Sequence, residues 1–90
     1  MRLDLFLTKS RLIKRRSLAK AACEKGIVWM DGRRAKAGKE VSPGQRITID
    51  FTSRLLEVLI LQLPRGNISK KKAGELYEVL KEIRKEPEPI

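Results

Sequence analysis

Lys9-Ser10-Arg11-Leu12-Ile13-Lys14-Arg15-Arg16-Ser17-Leu18-Ala19-Lys20 is the stretch around which the chain is organised. It carries six basic side chains, and no acidic residue lies between Asp4 and Glu24. Apolar residues are interspersed among the cations, which is typical of a basic loop that leads into a short helix. Such a segment is expected to pack one side against a core and to present the other side to an anion.

The charge distribution points to a polyanionic partner. The 90 residues carry 21 Lys and Arg against 11 Asp and Glu, a net charge of +10. Residues 1–50 hold 13 basic and 5 acidic side chains (net +8), whereas residues 51–90 hold 8 and 6 (net +2). Concentration of charge in one half favours nucleic acid over a heat-tolerant surface, because heat tolerance alone predicts mixed signs.

The composition argues against several classes of protein. A single cysteine and no histidine exclude an internal disulfide and a zinc site of the usual Cys/His kind, and no cofactor is expected. Cys23 lacks a histidine to activate it, so we interpret it as a small buried hydrophobe. No phosphate-binding glycine loop is present, and a non-enzymatic protein is predicted. No signal peptide or membrane-length apolar run is seen, which fits a reducing, cytoplasmic setting.

Apolar spacing predicts two N-terminal helices. Leu3, Phe6 and Leu7 indicate a helix of two turns over residues 2–8. Asp4 could favour the start of this helix or hold a neighbouring arginine, and both interpretations stay open. A second helix is expected from about residue 15 to residue 25. Its predicted inward stripe is Leu18, Ala21 and Ala22, its outward stripe is Arg16 and Lys20, and its end is Gly26.

Turn residues divide the following segment into strands. Asp31-Gly32 predicts a two-residue hairpin turn between strands at residues 27–30 and 33–36. Trp29 alternates in phase with Ile27, which favours core packing. A type II turn is expected at Pro43-Gly44. Further strands are predicted at residues 46–51, with Ile47, Ile49 and Phe51 on one face, and at residues 55–63.

The C-terminal segment is predicted to be a helix over residues 70–85, capped by Ser69. Its apolar stripe is Ala73, Leu76, Tyr77, Leu80 and Ile83. Lys70-Lys71-Lys72 would lie at its N-terminus, where the helix dipole disfavours cations, so the helix frays there or the lysines serve an outside anion. Residues 86–90 are expected to form a disordered tail. The predicted division is an RNA-binding domain at 1–63 and a helical extension with its tail at 64–90.

The basic stretch predicts binding to RNA or DNA phosphates. Arg11, Arg15 and Arg16 crowd one acid-free turn, and guanidinium groups match phosphate oxygens in paired hydrogen bonds. Backbone N–H groups at the start of the second helix could donate to the same phosphates. Lys14 belongs to the same stretch, and for Lys9 and Lys20 a solvated role and an RNA contact stay equally open. The same holds for Arg33 and Arg34. The stretch lacks aromatic residues, which favours folded RNA recognised by shape over stacked single strands.

An ordered set of motifs spans residues 1 to about 51. They are Arg2-Leu3-Asp4, Phe6-Leu7, Ser10-Arg11, Arg15-Arg16-Ser17-x-Ala19, Gly26-x-Val28-x-x-Asp31-Gly32 and Val41-x-Pro43-Gly44. In order and spacing, this segment resembles the S4-like (alpha-L) RNA-binding domain. The resemblance implies an α+β fold in which two N-terminal helices pack on a small, bent antiparallel sheet, followed here by a C-terminal helix. It also implies that the helical face grips RNA.

Over nearly its full length the chain resembles the RqcP family of bacterial ribosome-associated quality control, which is related to ribosome-associated heat-shock S4 proteins. The resemblance implies a monomer that binds obstructed large ribosomal subunits, contacts 23S rRNA and peptidyl-tRNA, and supports alanine tailing by an RqcH-type factor. Arg2 and Arg16 match the family's important basic positions, with Arg11 and Arg15 beside them. Trp29 and Cys23 depart from the usual pattern, outside the basic motif.

Three alternatives stay open. A heat-shock-type recycling factor or an assembly factor of the large subunit would use the same surface for another ribosomal task. The RNA-binding module of an RNA-modifying enzyme is disfavoured, because the 90 residues contain no catalytic domain. A DNA-compacting protein would bind duplex DNA as well as RNA.

Overall fold

Two helices are followed by four strands, one helical turn and a fifth strand along residues 1–85, the part of the chain that the computed structural model describes. The predicted tail at residues 86–90 lies outside the described residues. The elements are α1 (Leu3–Lys9), α2 (Arg16–Glu24), β1 (Val28–Met30), β2 (Arg33–Arg34), β3 (Arg46–Asp50), β4 (Arg54–Ile60), α3 (Lys70–Ala73) and β5 (Tyr77–Arg84). The strands form one antiparallel sheet in the order β2-β1-β3-β4-β5. The predicted α+β fold, with two N-terminal helices and a small antiparallel sheet, is confirmed.

One core lies between the two N-terminal helices and the inner face of the sheet. The predicted stripe of α1 is confirmed, because Leu3, Phe6 and Leu7 are fully buried. They pack in one cluster with the apolar side chains that alternate along β1, β3 and β4. The fully buried members from the strands are Val28, Ile47, Ile49, Val58 and Ile60. The α1 helix is therefore held by its apolar face, which leaves its N-terminal end free to build a surface site.

The buried face of α2 differs from the predicted one by one position. Leu18 is 53% exposed, so its assignment to the core was wrong. Ala19, Ala22 and Cys23 face the core instead. Small side chains let α2 approach closely, and the connector before it supplies bulk through Leu12 and Ile13, which are buried.

The helix ends as predicted at Gly26. This residue has φ +75°, in the left-handed region, and its N–H donates to the Cys23 carbonyl at 3.0 Å. The next N–H, that of Ile27, donates to the Ala22 carbonyl at 3.2 Å. This pair of bonds is the Schellman termination, which satisfies the last carbonyls of the helix and turns the chain into β1.

The hairpin after α2 is confirmed, but the side of the sheet on which Trp29 lies is not the predicted one. Asp31 and Gly32 both adopt positive φ, as a two-residue turn requires, and Trp29 pairs with Arg34 across it. Val28 and Met30 are the buried residues of β1. Trp29 is therefore half-buried on the outer face, where the Arg34 guanidinium carbon lies 5.9 Å from its ring centroid.

The C-terminal segment contains the largest correction. Ser69 caps a helix as predicted, since its hydroxyl accepts from the Lys72 N–H at 3.2 Å, but that helix is a single turn and ends at Ala73. Residues 77–84 form β5, which pairs antiparallel with β4. The prediction of a helical extension over residues 70–85 was therefore wrong. Gly74 is a poor residue for a helix interior, and pairing with β4 satisfies the backbone groups that a helix would otherwise satisfy.

Candidate RNA-binding surface

A buried carboxylate connects the N-terminal ends of α1 and α2. Asp4 is 1% exposed. Its Oδ1 accepts from Arg2 Nε at 3.2 Å and from the Leu5 backbone N–H at 2.8 Å. Its Oδ2 accepts from Arg2 Nη2 at 3.3 Å and from Arg16 Nε at 3.4 Å. Asp4 therefore holds a neighbouring arginine, the second of the two roles left open by the sequence, and it holds one from each helix.

The protonation of Asp4 reflects this environment. Burial by itself raises the pKa of the Asp4 carboxyl, because it disfavours the charged form. The hydrogen bond from Arg2, the charges of Arg16 and Arg2, and the Leu5 N–H act in the opposite direction and lower the pKa below its ordinary value. The carboxylate is therefore charged at neutral pH and serves as a fixed counter-ion for both guanidinium groups.

The two arginines keep most of their hydrogen-bonding capacity. A guanidinium has five N–H donors, and Asp4 uses two of Arg2 and one of Arg16. The side chains of Arg2 and Arg16 are 49% and 53% exposed. Two cations share one anion, so the cluster carries a net positive charge at the surface. Such an arrangement presents two oriented forks to a phosphate backbone.

Arg11 and Arg15 lie in the connector between the two helices. Both are exposed, and within residues 1–85 neither has a carboxylate within 4.0 Å. Arg11 adopts a left-handed φ of +62°, which costs a non-glycine residue about 1 kcal/mol. Arg15 precedes α2 as its N-cap residue, and no side chain from the described part of the chain caps the helix there. Uncapped N–H groups and unpaired guanidinium groups thus occur together at the start of α2.

The lysines of the basic stretch fall into two groups. Lys14 and Lys20 are exposed, and no ion pair involves either within the described residues. Lys9 is half-buried at the opposite end of α1 from Arg2, and its Nζ donates to the Gly66 carbonyl at 3.1 Å. The structure therefore brings Arg2 and Arg16 together around Asp4, but it places Lys9 elsewhere.

The loop after β2 adds residues that the sequence reasoning missed. The Leu3 and Asp4 N–H groups donate to the carbonyls of Lys39 and Ala37 at 2.8 and 3.1 Å, which fixes this loop against the start of α1. A Cβ on Gly38 would lie 3.8 Å from the Arg2 guanidinium, so the loop passes close to that side chain. Lys36 and Lys39 are exposed beside it. The available signal in the sequence was the alternation of small residues with lysines in Ala35-Lys36-Ala37-Gly38-Lys39.

No helix within residues 1–85 is long and apolar enough to cross a membrane.

Comparisons with known proteins agree with the fold. The S4 domain family model matches residues 1–47. The RQC P-site tRNA stabilizing factor of Bacillus subtilis (strain 168) is 43% identical over 82 residues, covering 91% of this chain and 94% of the relative. Its namesake from Halalkalibacterium halodurans is 48% identical over 82 residues, covering 91% and 92%.

A solved structure shares the architecture as well. Vibrio cholerae heat shock protein 15 matches with a TM-score of 0.80 and 32% identity, covering 88% of this chain and 80% of that chain. Its resemblance extends beyond the 47 residues of the family model into the second half of the sheet. The chain therefore belongs to the S4-domain proteins and, among them, to the family of RQC P-site tRNA stabilizing factors, RqcP.

Proposed function

We propose that this protein is an RNA-binding component of bacterial ribosome-associated quality control. In this proposal it binds large ribosomal subunits obstructed by peptidyl-tRNA, contacts 23S rRNA and the tRNA, and supports alanine tailing of the stalled chain. The name of its relatives, RQC P-site tRNA stabilizing factor, supports the tRNA contact. The observation that carries the proposal is the buried Asp4 carboxylate that orients Arg2 and Arg16 at the surface.

The proposed contacts are electrostatic. Arg2 and Arg16 act as oriented forks, and Arg11 and Arg15 add unpaired guanidinium groups at the start of α2. Phosphate contacts fix the position of a bound RNA without reading its sequence, so folded rRNA and tRNA are suitable partners. The full proposed set of RNA-binding residues is Arg2, Lys9, Arg11, Lys14, Arg15, Arg16 and Lys20, extended by Lys36 and Lys39.

The protein would act by binding rather than by catalysis. Stabilising a tRNA on the subunit requires a rigid surface of matched charge, and no group that transfers protons or electrons. A monomer with this surface could occupy the subunit together with an RqcH-type tailing factor. The proposal places the protein in the cytoplasm, where ribosomes work.

The test is cosedimentation of an Arg16→Ala variant with large subunits that carry P-site tRNA. Arg16 is half exposed, so the variant should fold normally while losing one phosphate fork. We expect weaker cosedimentation at physiological salt. Lys81→Ala is the matched control, since it removes an exposed cation from β5. If folded Arg16→Ala cosediments with large subunits as well as the wild type does, the assignment of this surface to RNA binding is wrong.

A second candidate function is recycling of large subunits in the manner of a heat-shock protein. The observation that favours it is the structural match to Vibrio cholerae heat shock protein 15. The RNA crosslinked to the protein in cells separates quality control from a role in ribosome assembly. Quality control predicts tRNA together with large-subunit rRNA, whereas an assembly role predicts precursor rRNA.

A further inference from the structure

A second group of cations lies outside the surface formed by α1 and α2. It consists of Arg65, Lys70, Lys71 and Lys72, here called the C-terminal basic turn. All four side chains are exposed, and none has a carboxylate within 4.0 Å among residues 1–85. Glu75 lines the same shallow cleft as Arg65 and Lys72. Its single negative charge is smaller than the charge of the four cations, so the turn together with Glu75 has a net positive charge. Ion pairing within the described protein therefore does not explain these four cations.

The backbone that carries these cations is held firmly. Ala73 and Leu76, which follow the lysines, are 1% and 3% exposed and anchor the turn to the rest of the protein. The Leu61 N–H donates to the Leu76 carbonyl at 2.8 Å, which joins the end of the turn to the chain that leaves β4. Gln62 Nε2 donates to the Glu75 carbonyl at 3.3 Å. A partner would thus meet a preformed surface, and little ordering of the backbone would oppose binding.

The turn is attached to the far end of α1. Gly66 adopts a φ of +63°, and its carbonyl accepts from Lys9 Nζ at 3.1 Å. Arg2 and Lys9 are separated by seven residues along α1, which corresponds to about 10 Å at 1.5 Å per helical residue. The C-terminal basic turn and the Asp4 cluster therefore lie near opposite ends of one short helix. Lys9 retains two N–H donors, so it extends the basic turn toward solvent.

We propose that the C-terminal basic turn is a second phosphate-binding surface, which takes an RNA segment different from the one held at Arg2 and Arg16. The proposal rests on the proposed function, because it assumes that the first surface binds RNA. Consecutive lysines on one helical turn fan out by about 100° each, so they suit a row of spaced phosphates better than one compact anion. Two separated surfaces would let the protein hold two RNA elements against each other.

The experiment uses two short RNA hairpins that carry a donor and an acceptor dye. Energy transfer between them reports simultaneous binding to one protein molecule, and titration gives the stoichiometry. At about 50 mM salt, where phosphate contacts are strong, we expect two hairpins per wild-type protein. The triple variant K70Q/K71Q/K72Q should bind one hairpin. Its affinity for that first hairpin should stay within about threefold of that of a control variant with the same charge change, because at this salt the long-range effect of losing three cations is common to both.

A triple variant with the same charge change provides the control. K25Q/K81Q/R84Q removes three exposed cations from other places and should still bind two hairpins. The proposal is overturned if the wild type binds a single hairpin, if K70Q/K71Q/K72Q still binds two, or if the control also loses the second one. A failure of the proposed function is recognised in a different experiment. In that case Arg16→Ala cosediments with large subunits as well as the wild type does, whatever the number of hairpins bound.

Discussion

Asp4→Asn removes the charge on which Arg2 and Arg16 converge and preserves the size of the side chain. The three guanidinium contacts are 3.2, 3.3 and 3.4 Å long. A hydrogen bond to a charged group contributes about 1.5–3 kcal/mol in protected surroundings. Both arginines are about half exposed, so water replaces much of this interaction. We expect the free energy of unfolding to fall by about 1–2 kcal/mol.

The effect on RNA affinity is a balance of two terms. Immobilising a long side chain on binding costs about 0.5–1.5 kcal/mol, so two arginines released from Asp4 would weaken binding by about 1–3 kcal/mol. Loss of the negative charge strengthens attraction to a phosphate by about 0.5 kcal/mol at a separation of ~8 Å in water. The cost of orientation exceeds the gain from charge by about 0.5–2.5 kcal/mol, so we expect the Kd for an RNA hairpin to rise by about 2- to 70-fold.

Fluorescence anisotropy with a labelled hairpin measures this Kd, and circular dichroism establishes that the variant is folded. Glu24→Gln is the control, since Glu24 is exposed and forms no ion pair within residues 1–85. It removes the same charge without disturbing an arginine, so it should bind RNA as well as the wild type or slightly more tightly. If folded Asp4→Asn behaves like Glu24→Gln, Asp4 does not orient the arginines for binding.

The same substitution should change the response to acid. The pKa of Asp4 is lowered on folding, so its stabilisation is complete above the ordinary carboxyl value of 3.8 and is lost as the pH falls through the lower folded value. Urea unfolding between pH 2 and pH 7 tests this point. Below about pH 4 the wild type should lose stability more steeply than Asp4→Asn. Parallel curves would show that the Asp4 carboxylate does not stabilise the fold.

Three further predictions concern neighbouring residues. Arg15→Gln should leave stability within about 0.5 kcal/mol and make the slope of log affinity against log salt shallower by about 0.7–0.9, as measured by anisotropy titrations; an unchanged slope would remove Arg15 from the site. Leu18→Ala should change the free energy of unfolding by less than about 0.5 kcal/mol, whereas Ala19→Leu should lower it by about 1–3 kcal/mol through overpacking. Equal effects in urea unfolding would contradict the observed face of α2. Cys23 is 7% exposed, and burial, with the charges of Asp4 and Glu24, raises the pKa of its thiol; labelling of the native protein by a thiol reagent at pH 7 should be much slower than labelling in urea.

The sequence was most informative where one local rule acted alone. The stripe of Leu3, Phe6 and Leu7 predicted the buried face of α1, and the glycines at positions 26 and 32 predicted a helix end and a hairpin turn. Each of these features follows from helical spacing or from a backbone conformation that few residues adopt. No knowledge of distant parts of the chain was needed.

Prediction failed where two periodicities or two faces were nearly equivalent. In α2 the stripes that begin at Leu18 and at Ala19 have the same spacing, and only the room left beside α1 selects the smaller residue. In β5 the register shifts opposite Glu57 and Val58, which pair with Lys81 and Val79 and leave Leu80 as an extra residue. This bulge interrupts the alternation of the strand, so its apolar residues are spaced as in a helix.

Only part of the candidate site was predicted, because the rest of it depends on how distant segments pack. The arginines of the connector were recognisable from their density in the sequence. Their organisation by Asp4 depends on how α1 and α2 pack, and Asp4 alone was compatible with two roles. Lys36 and Lys39 lie in a loop that backbone bonds hold against α1, and these bonds join residues more than thirty positions apart. The local alternation of lysines with small residues does not indicate that position.

The bulge in β5 also affects whether molecules of the protein can associate through the edge of the sheet. β5 is the last strand of the sheet, and no strand within residues 1–85 pairs with its outer edge. An open edge of eight residues is a template on which another extended chain could add and start a growing aggregate. The extra residue at Leu80 breaks the regular spacing of the exposed N–H and C=O groups, and Lys81, Glu82 and Arg84 place alternating charges along it. The irregularity that disguised this strand in the sequence therefore also opposes the addition of a further strand at this edge of the sheet.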